Sequence, residues 1–297
     1  VHTALSGRHT GLGVIECGYR DGHNSRRIQK KDAMNEVETV LLNELKEADY
    51  DSLIRYRVRK ILMICSNYDA FILEEDGQIE SQIYREYIDL NLSSPPKFLW
   101  VTTSEEARRI LNDSDDIDMV ISMFNMGDRD VFSLASSLKK EGRMIPFVLL
   151  THFSKEVYRR LSLQDTSGID YMFSWHGNAD LIVAIIKLFE DRINAEHDIN
   201  EVGVQAILLV EDSVRYYSTY LPELYKLILK QSAEFLKETL NEQQRKGRKR
   251  SRPKILLATN LDDAMIFYEK YKNNLLGVIS DVGFVRHKED SPDKEQL

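Results

Sequence analysis

The sequence contains little cysteine and no long apolar run. Its only two cysteines, Cys17 and Cys65, lie far apart and lack the close spacing of zinc ligands, so we expect neither a disulfide framework nor a metal–thiolate site. No apolar stretch approaches the roughly 18 residues that cross a bilayer, and the first residues lack the basic-then-apolar order of a secretory signal. We therefore expect a cytoplasmic protein that does not contact a membrane.

Positive charge is scarcer than negative charge. The formal net charge of -8 at pH 7 argues against a general nucleic-acid-binding function, because affinity for phosphates comes from concentrated lysine and arginine. One basic run, Arg245 to Lys254 (RKGRKRSRPK), is the exception. It could contact nucleic acid or an acidic partner, but we interpret it as a solvated helical extension that projects from the fold.

The length and composition indicate two folded domains preceded by a less regular region. The chain has 297 residues, of which 42% are hydrophobic and 30% are charged, as is typical of globular proteins. Residues 1 to about 30 carry scattered glycines without a period, and residues 31 to 58 carry apolar side chains at helical spacing. We expect residues 1–57 to be a disordered segment followed by a helical lead-in, which is either a linker or a dimerising helix.

From residue 58 onward, short apolar runs alternate with helical stretches. Residues 58–196 contain five such runs, and residues 203–297 contain three. The runs are apolar throughout, which is typical of parallel strands covered by helices on both faces. We predict an α/β protein with two tandem, doubly wound parallel sheets of the flavodoxin-like strand order 2-1-3-4-5, the second of which stops after its third strand. That third strand would be an apolar edge unless another segment covers it.

Acidic residues follow two of the apolar runs in the second unit. Glu211 and Asp212 follow the first run in the string LLVEDS, and Asp281 follows the third run in VISDV. These strands are neighbours in the predicted order, and doubly wound sheets bind ligands beyond the carboxyl ends of their strands, so we expect the three carboxylates to converge. Such a site suits Mg²⁺, beside which an aspartate can accept a phosphoryl group. The alternative is that Asp212 or Ser213 only caps the next helix.

The same two strings resemble the acidic pair and the phosphoacceptor strand of response-regulator receiver domains. The resemblance implies phosphorelay signal transduction in a two-component system, with Asp281 as the phosphorylated residue. It implies that Mg²⁺ is held by Glu211, Asp212, Asp281 and the carbonyl group of Gly283. It also implies a histidine kinase or another phosphodonor and a downstream output module. A homodimer stays open, since the lead-in helix is either a linker or a dimerising helix. The family's switch Ser or Thr and its Lys would lie beyond Leu297.

The first unit has the layout of a receiver but different residues at the positions that carry the chemistry. Thr151 matches the family's switch Thr, whereas the acidic pair, the phosphoacceptor and the Lys are missing. Because neither the metal nor the phosphoryl group can be held without carboxylates, we interpret residues 58–196 as a degenerate pseudo-receiver used for contacts. The residues at the altered positions are Cys65, Ser66, Met123 and Ser174 or Trp175.

Four tyrosines lie soon after the first strand of the second unit. They follow helical spacing in part, and we expect them to pack between the two units. A surface for stacking nucleic-acid bases would need neighbouring positive charge, which this segment lacks. The four are Tyr216, Tyr217, Tyr220 and Tyr225.

A longer resemblance covers residues 58 to 285. Strings such as SGIDYMF, EVGVQAILLVEDS and RPKILLAT resemble the receiver-bearing N-terminal region of bacterial proteins related to phosphoenolpyruvate synthase and pyruvate phosphate dikinase. In those proteins a nucleotide- and pyruvate-binding module follows the receivers, and no such module is visible in this sequence. We therefore expect that this chain is not itself an enzyme. Two alternatives remain: a non-phosphorylated interaction scaffold, or the regulatory fragment of such a phosphotransferase.

Overall fold

The computed structural model describes a short strand, β1 (Gly13–Ile15), and most of the chain from Leu53 to Arg286. Most of the predicted lead-in helix and the basic residues before Ser251 lie outside the described residues. Within the described part of the chain, no helix is both long enough and apolar enough to cross a membrane. The described residues are 13–15, 53–67, 79–89, 95–124, 130–152, 159, 161, 163–175, 177, 179–234 and 251–286.

Five parallel strands form the first sheet. They are β2 (Lys60–Ile64), β3 (Lys97–Val101), β4 (Met119–Met123), β5 (Phe147–Thr151) and β6 (Tyr171–Ser174). Their order across the sheet is β3-β2-β4-β5-β6, which confirms the predicted order 2-1-3-4-5. The central strands β4 and β5 are buried along their whole length, as expected for apolar runs that are covered on both faces.

Helices cover both faces of the first sheet. Alternate strand residues face opposite sides. The strand residues that face one side pack against one pair of helices, and those that face the other side pack against a second pair. The first pair is α2 (Ser104–Asp113) with α3 (Asp130–Lys140), and the second is α1 (Ile79–Asp89) with α4 (Ala179–Ala195).

The second sheet has three parallel strands and one antiparallel strand. The parallel strands are β7 (Ala206–Val210), β8 (Lys254–Ala258) and β9 (Leu275–Ser280), and the order across the sheet is β1-β9-β7-β8. β1 runs antiparallel to β9 and pairs Gly13 with Ser280. β1 therefore covers the edge of β9. The sequence alone predicted no strand within residues 1–57. The backbone N–H and carbonyl groups on the open side of β9 need hydrogen-bond partners, and β1 supplies them.

The segment that leads into β2 is irregular and not helical, with bends at residues 53, 54 and 56 and a φ of 54° at Ile54. The backbone of Tyr56 donates to Asn194 Oδ1 over 3.0 Å and accepts from Asn194 Nδ2 over 2.8 Å. The backbone N–H of Val58 donates to Glu190 Oε1 over 3.2 Å. Since polar side chains of α4 satisfy this backbone, the segment does not need helical hydrogen bonds. The predicted lead-in helix therefore does not extend over residues 53–58.

A layer of helices lies between the two sheets. α5 (Val214–Glu234) packs against α4 and β6, while α6 (Leu261–Tyr271) covers the opposite face of the second sheet. One continuous hydrophobic cluster joins the two sheets through this layer. It includes Phe173 of β6, Ile185 of α4, Leu221 of α5 and Leu257 of β8.

Charged side chains are buried between α4 and the second sheet. Arg252 donates to both carboxylate oxygens of Asp191 over 2.8 and 2.9 Å, and the backbone N–H of Ile255 donates to the same carboxylate over 3.0 Å. A π-helix (Glu196–Glu201) continues α4 and holds Asp198, whose Oδ2 lies 2.7 Å from Lys254 Nζ. In this region of the described chain, three buried cations accompany three buried anions. The cations are Lys187, Arg252 and Lys254, and the anions are Glu190, Asp191 and Asp198.

The end of the basic run is therefore part of the core. Arg252 is 3% exposed and Lys254 is fully buried, so the prediction that the run from Arg245 to Lys254 is a solvated projection is wrong for these two residues. Burial of a charged side chain requires a paired partner. Those partners come from α4 and the π-helix, which are distant in sequence, so the run alone does not reveal them.

Gly168 lies where the loop before β6 touches the backbone of α3. A Cβ atom at this position would lie 2.4 Å from Ala135 C and 2.4 Å from Ser136 N. We expect Gly168→Ala to lower the free energy of unfolding by about 1 to 3 kcal/mol through overpacking, as measured by urea denaturation. Gly277→Ala is the control, because no atom lies within 4 Å of a Cβ there. Equal losses in both variants would contradict the steric explanation.

Candidate functional site

The carboxyl ends of β7 and β9 lie side by side. Val210 pairs with Ser280 in the parallel ladder, and the backbone N–H of Asp281 donates to the carbonyl of Val210 over 3.1 Å. Glu211 and Asp212 directly follow Val210, so the structure places the predicted acids at one edge of the second sheet. We call Glu211, Asp212 and Asp281 the acidic cluster.

Glu211 is the buried member of the acidic cluster. Its side chain is 2% exposed, and its Oε1 accepts a hydrogen bond from the backbone N–H of Ser213 over 3.0 Å. Burial, aided by the negative charges of Asp281 and Asp212, raises the pKa of Glu211 to about 7 despite the lowering effect of the hydrogen bond from the Ser213 N–H. The ionised form of Glu211 is therefore disfavoured by its surroundings.

The loop after β9 folds back over the acidic cluster. The backbone N–H of Val285 donates to Asp212 Oδ2 over 2.9 Å, and the Val285 carbonyl accepts from the N–H of Leu261 over 3.0 Å. Asp212 thus bonds to a separate segment, which the simple capping alternative did not include. Gly283, the fourth predicted metal contact, lies in this loop between Asp281 and Val285.

Asp281, like Asp212, is more accessible than Glu211. Its side chain is of intermediate exposure, and the neighbouring Val282 is 90% exposed. Asp281 Oδ1 accepts from the backbone N–H of Val282 over 2.6 Å. A molecule arriving from solvent can therefore reach this carboxylate more easily than it can reach Glu211.

The donor chemistry of the acidic cluster fits Mg²⁺. All the side-chain donors are carboxylate oxygens, which this ion prefers. The pKa of Glu211 is raised mainly by burial and in smaller part by the charges of Asp281 and Asp212, and a nearby cation would favour the ionised form. Each carboxylate also accepts a backbone N–H. Across the described ranges, no group of three or more His, Cys, Asp or Glu side chains has the arrangement of a metal site. Metal binding would therefore require these side chains to turn.

At the corresponding edge of the first sheet, no acid directly follows a strand among the described residues. The residues that directly follow β2, β4, β5 and β6 are Cys65, Phe124, His152 and Trp175. The acids near β4 lie at the opposite edge, where Asp118 Oδ2 accepts from the backbone N–H groups of Arg59 and Lys60 over 2.7 and 2.9 Å.

The tyrosines of α5 divide into two pairs. Tyr217 and Tyr225 are buried in the cluster between the sheets, as expected, and Tyr225 donates to Asp191 Oδ2 over 2.9 Å. Tyr216 and Tyr220 instead stack on each other with ring centroids 6.0 Å apart. Partial burial raises the pKa of Tyr220, and the nearby charge of Glu211 adds to this effect. This second pair therefore lies beside the acidic cluster.

Two contacts between α5 and β6 were not predicted. The Tyr217 hydroxyl donates to the carbonyl of Met172, and the backbone N–H of Ser174 donates to Ser218 Oγ over 2.9 Å. β6 is an edge strand, so its outer backbone groups need partners from elsewhere. The run of tyrosines indicated a buried helix face, but no sequence pattern identifies β6 as the strand it meets.

Comparison with known proteins adds no family to these observations. No protein-family model, curated protein or solved structure matches the chain. The residues and their geometry therefore carry the functional argument.

Proposed function

We propose that the chain is the receiver part of a cytoplasmic phosphorelay protein. In this proposal the second sheet belongs to a receiver domain that is phosphorylated on Asp281, and the first sheet belongs to a pseudo-receiver in tandem with it. The observation that supports it most is the meeting of three carboxylates at the carboxyl ends of two adjacent parallel strands.

The proposed reaction is phosphoryl transfer to an aspartate. A carboxylate oxygen of Asp281 forms the bond to phosphorus as the bond from phosphorus to the donor's leaving atom breaks, which gives an aspartyl phosphate. The partial exposure of Asp281 suits a macromolecular donor such as a histidine kinase. Hydrogen bonds from the backbone N–H groups of Ser213 and Val285 hold the carboxyl groups of Glu211 and Asp212 beside the acceptor.

Mg²⁺ is the cofactor that this reaction would use. The residues proposed to hold it are Glu211, Asp212, Asp281 and the carbonyl of Gly283. When bound, the ion would neutralise negative charge on the oxygens of the phosphoryl group during transfer.

The output of the phosphorelay would be an attached or separate module. The resemblance to the receiver-bearing region of phosphoenolpyruvate synthase-like and pyruvate phosphate dikinase-like proteins favours a phosphotransferase module as that output. In this proposal the described chain has no enzymatic activity of its own and acts as the regulatory part.

Phosphorylation can be tested with a small-molecule donor. After incubation with Mg²⁺ and acetyl phosphate, we expect the protein to gain the mass of one phosphoryl group in a base-labile form. Asp281→Asn should abolish this gain, because its amide cannot act as the nucleophile. Asp115→Asn, which changes an exposed acid at the opposite edge of the first sheet, is the matched control and should gain the same mass as the unchanged protein. No gain, or a gain that survives in Asp281→Asn, would contradict the proposal.

A non-phosphorylated interaction scaffold is the second candidate function. It is favoured by the carboxylates of the acidic cluster, which each accept a backbone N–H and form no ligand group among the described side chains. Titration with Mg²⁺ followed by calorimetry separates the two candidates. Binding that is lost in Glu211→Gln favours the receiver, and no binding favours the scaffold.

A further inference from the structure

The first turns of α5 join the acidic cluster to β6. Ser213 precedes the helix, and its backbone N–H donates to Glu211 Oε1 over 3.0 Å. Tyr217 and Ser218 lie one turn further along, and both bond to the backbone of β6. Little more than one helical turn therefore separates the acidic cluster from the first sheet.

The contact with β6 is tightly specified. Ser218 Oγ accepts from the backbone N–H of Ser174 and donates to the carbonyl of Val214. The Tyr217 hydroxyl donates to the carbonyl of Met172. Because a hydroxyl bonded on both sides fixes the positions of its two partners, a shift of the first helical turn must also move the end of β6.

Pro222 lies inside α5 just after this contact. Proline has no backbone N–H, so the carbonyl of Ser218 does not receive the usual helical hydrogen bond from residue 222. Beyond the proline, Tyr225 is held by the buried carboxylate of Asp191. The first two turns of α5 can therefore shift as a unit while the remainder of the helix stays anchored.

Charge at the acidic cluster acts directly on the beginning of α5. A phosphoryl group on Asp281 brings additional negative charge close to the Glu211 carboxylate, which is 2% exposed. Burial makes such repulsion stronger than it would be in water. The Glu211 carboxylate is bonded to Ser213, so a displacement of Glu211 reaches the residue that precedes the helix.

We infer that the first two turns of α5 transmit a change of charge at the acidic cluster to β6, so that the first sheet reports the phosphorylation state of Asp281 within the same chain. This inference rests on the proposed function. It assigns the pseudo-receiver the task of reading the neighbouring receiver. Trp175 is placed to detect the change, because it directly follows Ser174, is 3% exposed and donates its backbone N–H to Thr151 over 2.9 Å.

The fluorescence of Trp175 provides the test. The protein has two tryptophans, and Trp100 lies on β3 at the far edge of the first sheet, four strand spacings or about 19 Å away. Trp100→Phe leaves Trp175 as the sole reporter, and Trp175→Phe leaves Trp100 as a control reporter. After addition of Mg²⁺ and acetyl phosphate, with mass recorded in the same samples, we expect a shift in the emission of Trp175 and none in that of Trp100.

Substitutions in α5 test the route. In the Trp100→Phe background, Ser218→Ala removes the bond to Ser174 and should abolish most of the emission shift while the mass gain on Asp281 is kept. Thr219→Ala is the matched control, because Thr219 is exposed and its hydroxyl donates to the carbonyl of Arg215 within the same helix. It should keep the full shift. Tyr217→Phe gives an independent check if Ser218→Ala fails to fold.

The outcomes separate this inference from the proposed function. A mass gain on Asp281 with no change in Trp175 emission would overturn the inference and leave the phosphorylation proposal standing. An emission shift that persists undiminished in both Ser218→Ala and Tyr217→Phe would overturn the route through α5. Absence of the mass gain would overturn both proposals together.

Discussion

Arg252→Met is expected to lower the free energy of unfolding by about 3 to 5 kcal/mol, because it leaves the buried carboxylate of Asp191 without its main cation. Arg252 and Asp191 are 3% and 0% exposed, and two hydrogen bonds of 2.8 and 2.9 Å join them. The remaining partners of Asp191 are neutral donors and Lys254, whose Nζ lies 3.8 Å from Asp191 Oδ1. Urea denaturation followed by circular dichroism measures the loss.

An exposed ion pair provides the control for Arg252. Arg109 lies 2.9 Å from Glu105 across one turn of α2, and both side chains are largely exposed. Arg109→Met should leave the free energy of unfolding essentially unchanged, because exposed pairs contribute little. If Arg252→Met lost no more stability than Arg109→Met, the assignment of a buried, paired Arg252 would be wrong.

The pH dependence of stability gives a second measure of the same pair. Burial alone would raise the pKa of Asp191, but Arg252 and Lys254 outweigh it and hold this pKa below its usual value. A carboxylate with a lowered pKa stabilises the folded state above its unfolded pKa, and this contribution is lost as the pH falls through the folded pKa. We expect Arg252→Met to remove this part of the acid sensitivity, since the cation that lowers the pKa is gone.

Glu211→Gln is expected to stabilise the protein at pH 8 and to abolish Mg²⁺ binding. The pKa of Glu211 is raised to about 7, chiefly by burial, so the folded state favours the protonated acid. Stability therefore falls as the pH rises from the ordinary glutamate pKa of 4.5 in the unfolded chain to the folded value of about 7. The neutral amide avoids this loss, and the expected gain at pH 8 is at most about 3 kcal/mol.

Two comparisons make the Glu211 prediction specific. Near pH 4 most of the stabilisation should disappear, because the unchanged side chain is then protonated in the folded state and largely protonated in the unfolded state. Glu223→Gln, an exposed position on α5, should leave stability unchanged at both pH values. A Glu211→Gln variant that is less stable at pH 8 than the unchanged protein would contradict the conclusion that the ionised Glu211 side chain destabilises the folded state.

Much of the first sheet was predictable from local patterns. Runs such as those at β4 and β5 are apolar over their full length, and their spacing with amphipathic stretches favours parallel strands with helical crossovers. The meeting of Glu211 with Asp281 was predictable for the same reason, because strand order determines which strand ends are adjacent.

The features that escaped prediction depend on contacts between distant segments. The burial of Arg252 depends on Asp191, which lies on another element, and a basic run is more often solvated. The irregular, non-helical conformation of residues 53–58 depends on Glu190 and Asn194. A signal was nevertheless present in α4, where polar residues recur at spacings of three and four within an otherwise apolar helix. Such a stripe indicates polar partners within the core.

The pairing of β1 with β9 has a consequence for the order of folding. Val14 lies opposite Ile279, so nearly the whole described chain, including all five strands of the first sheet, lies between the two partners. The entropy of closing a loop grows with its length, and contacts between distant residues slow folding. The first sheet can form from contacts between near neighbours in sequence, whereas β1 can join only after β9 has taken its place. We therefore expect the final strand pairing to be a late and slow kinetic step, completed on a first sheet that is already assembled.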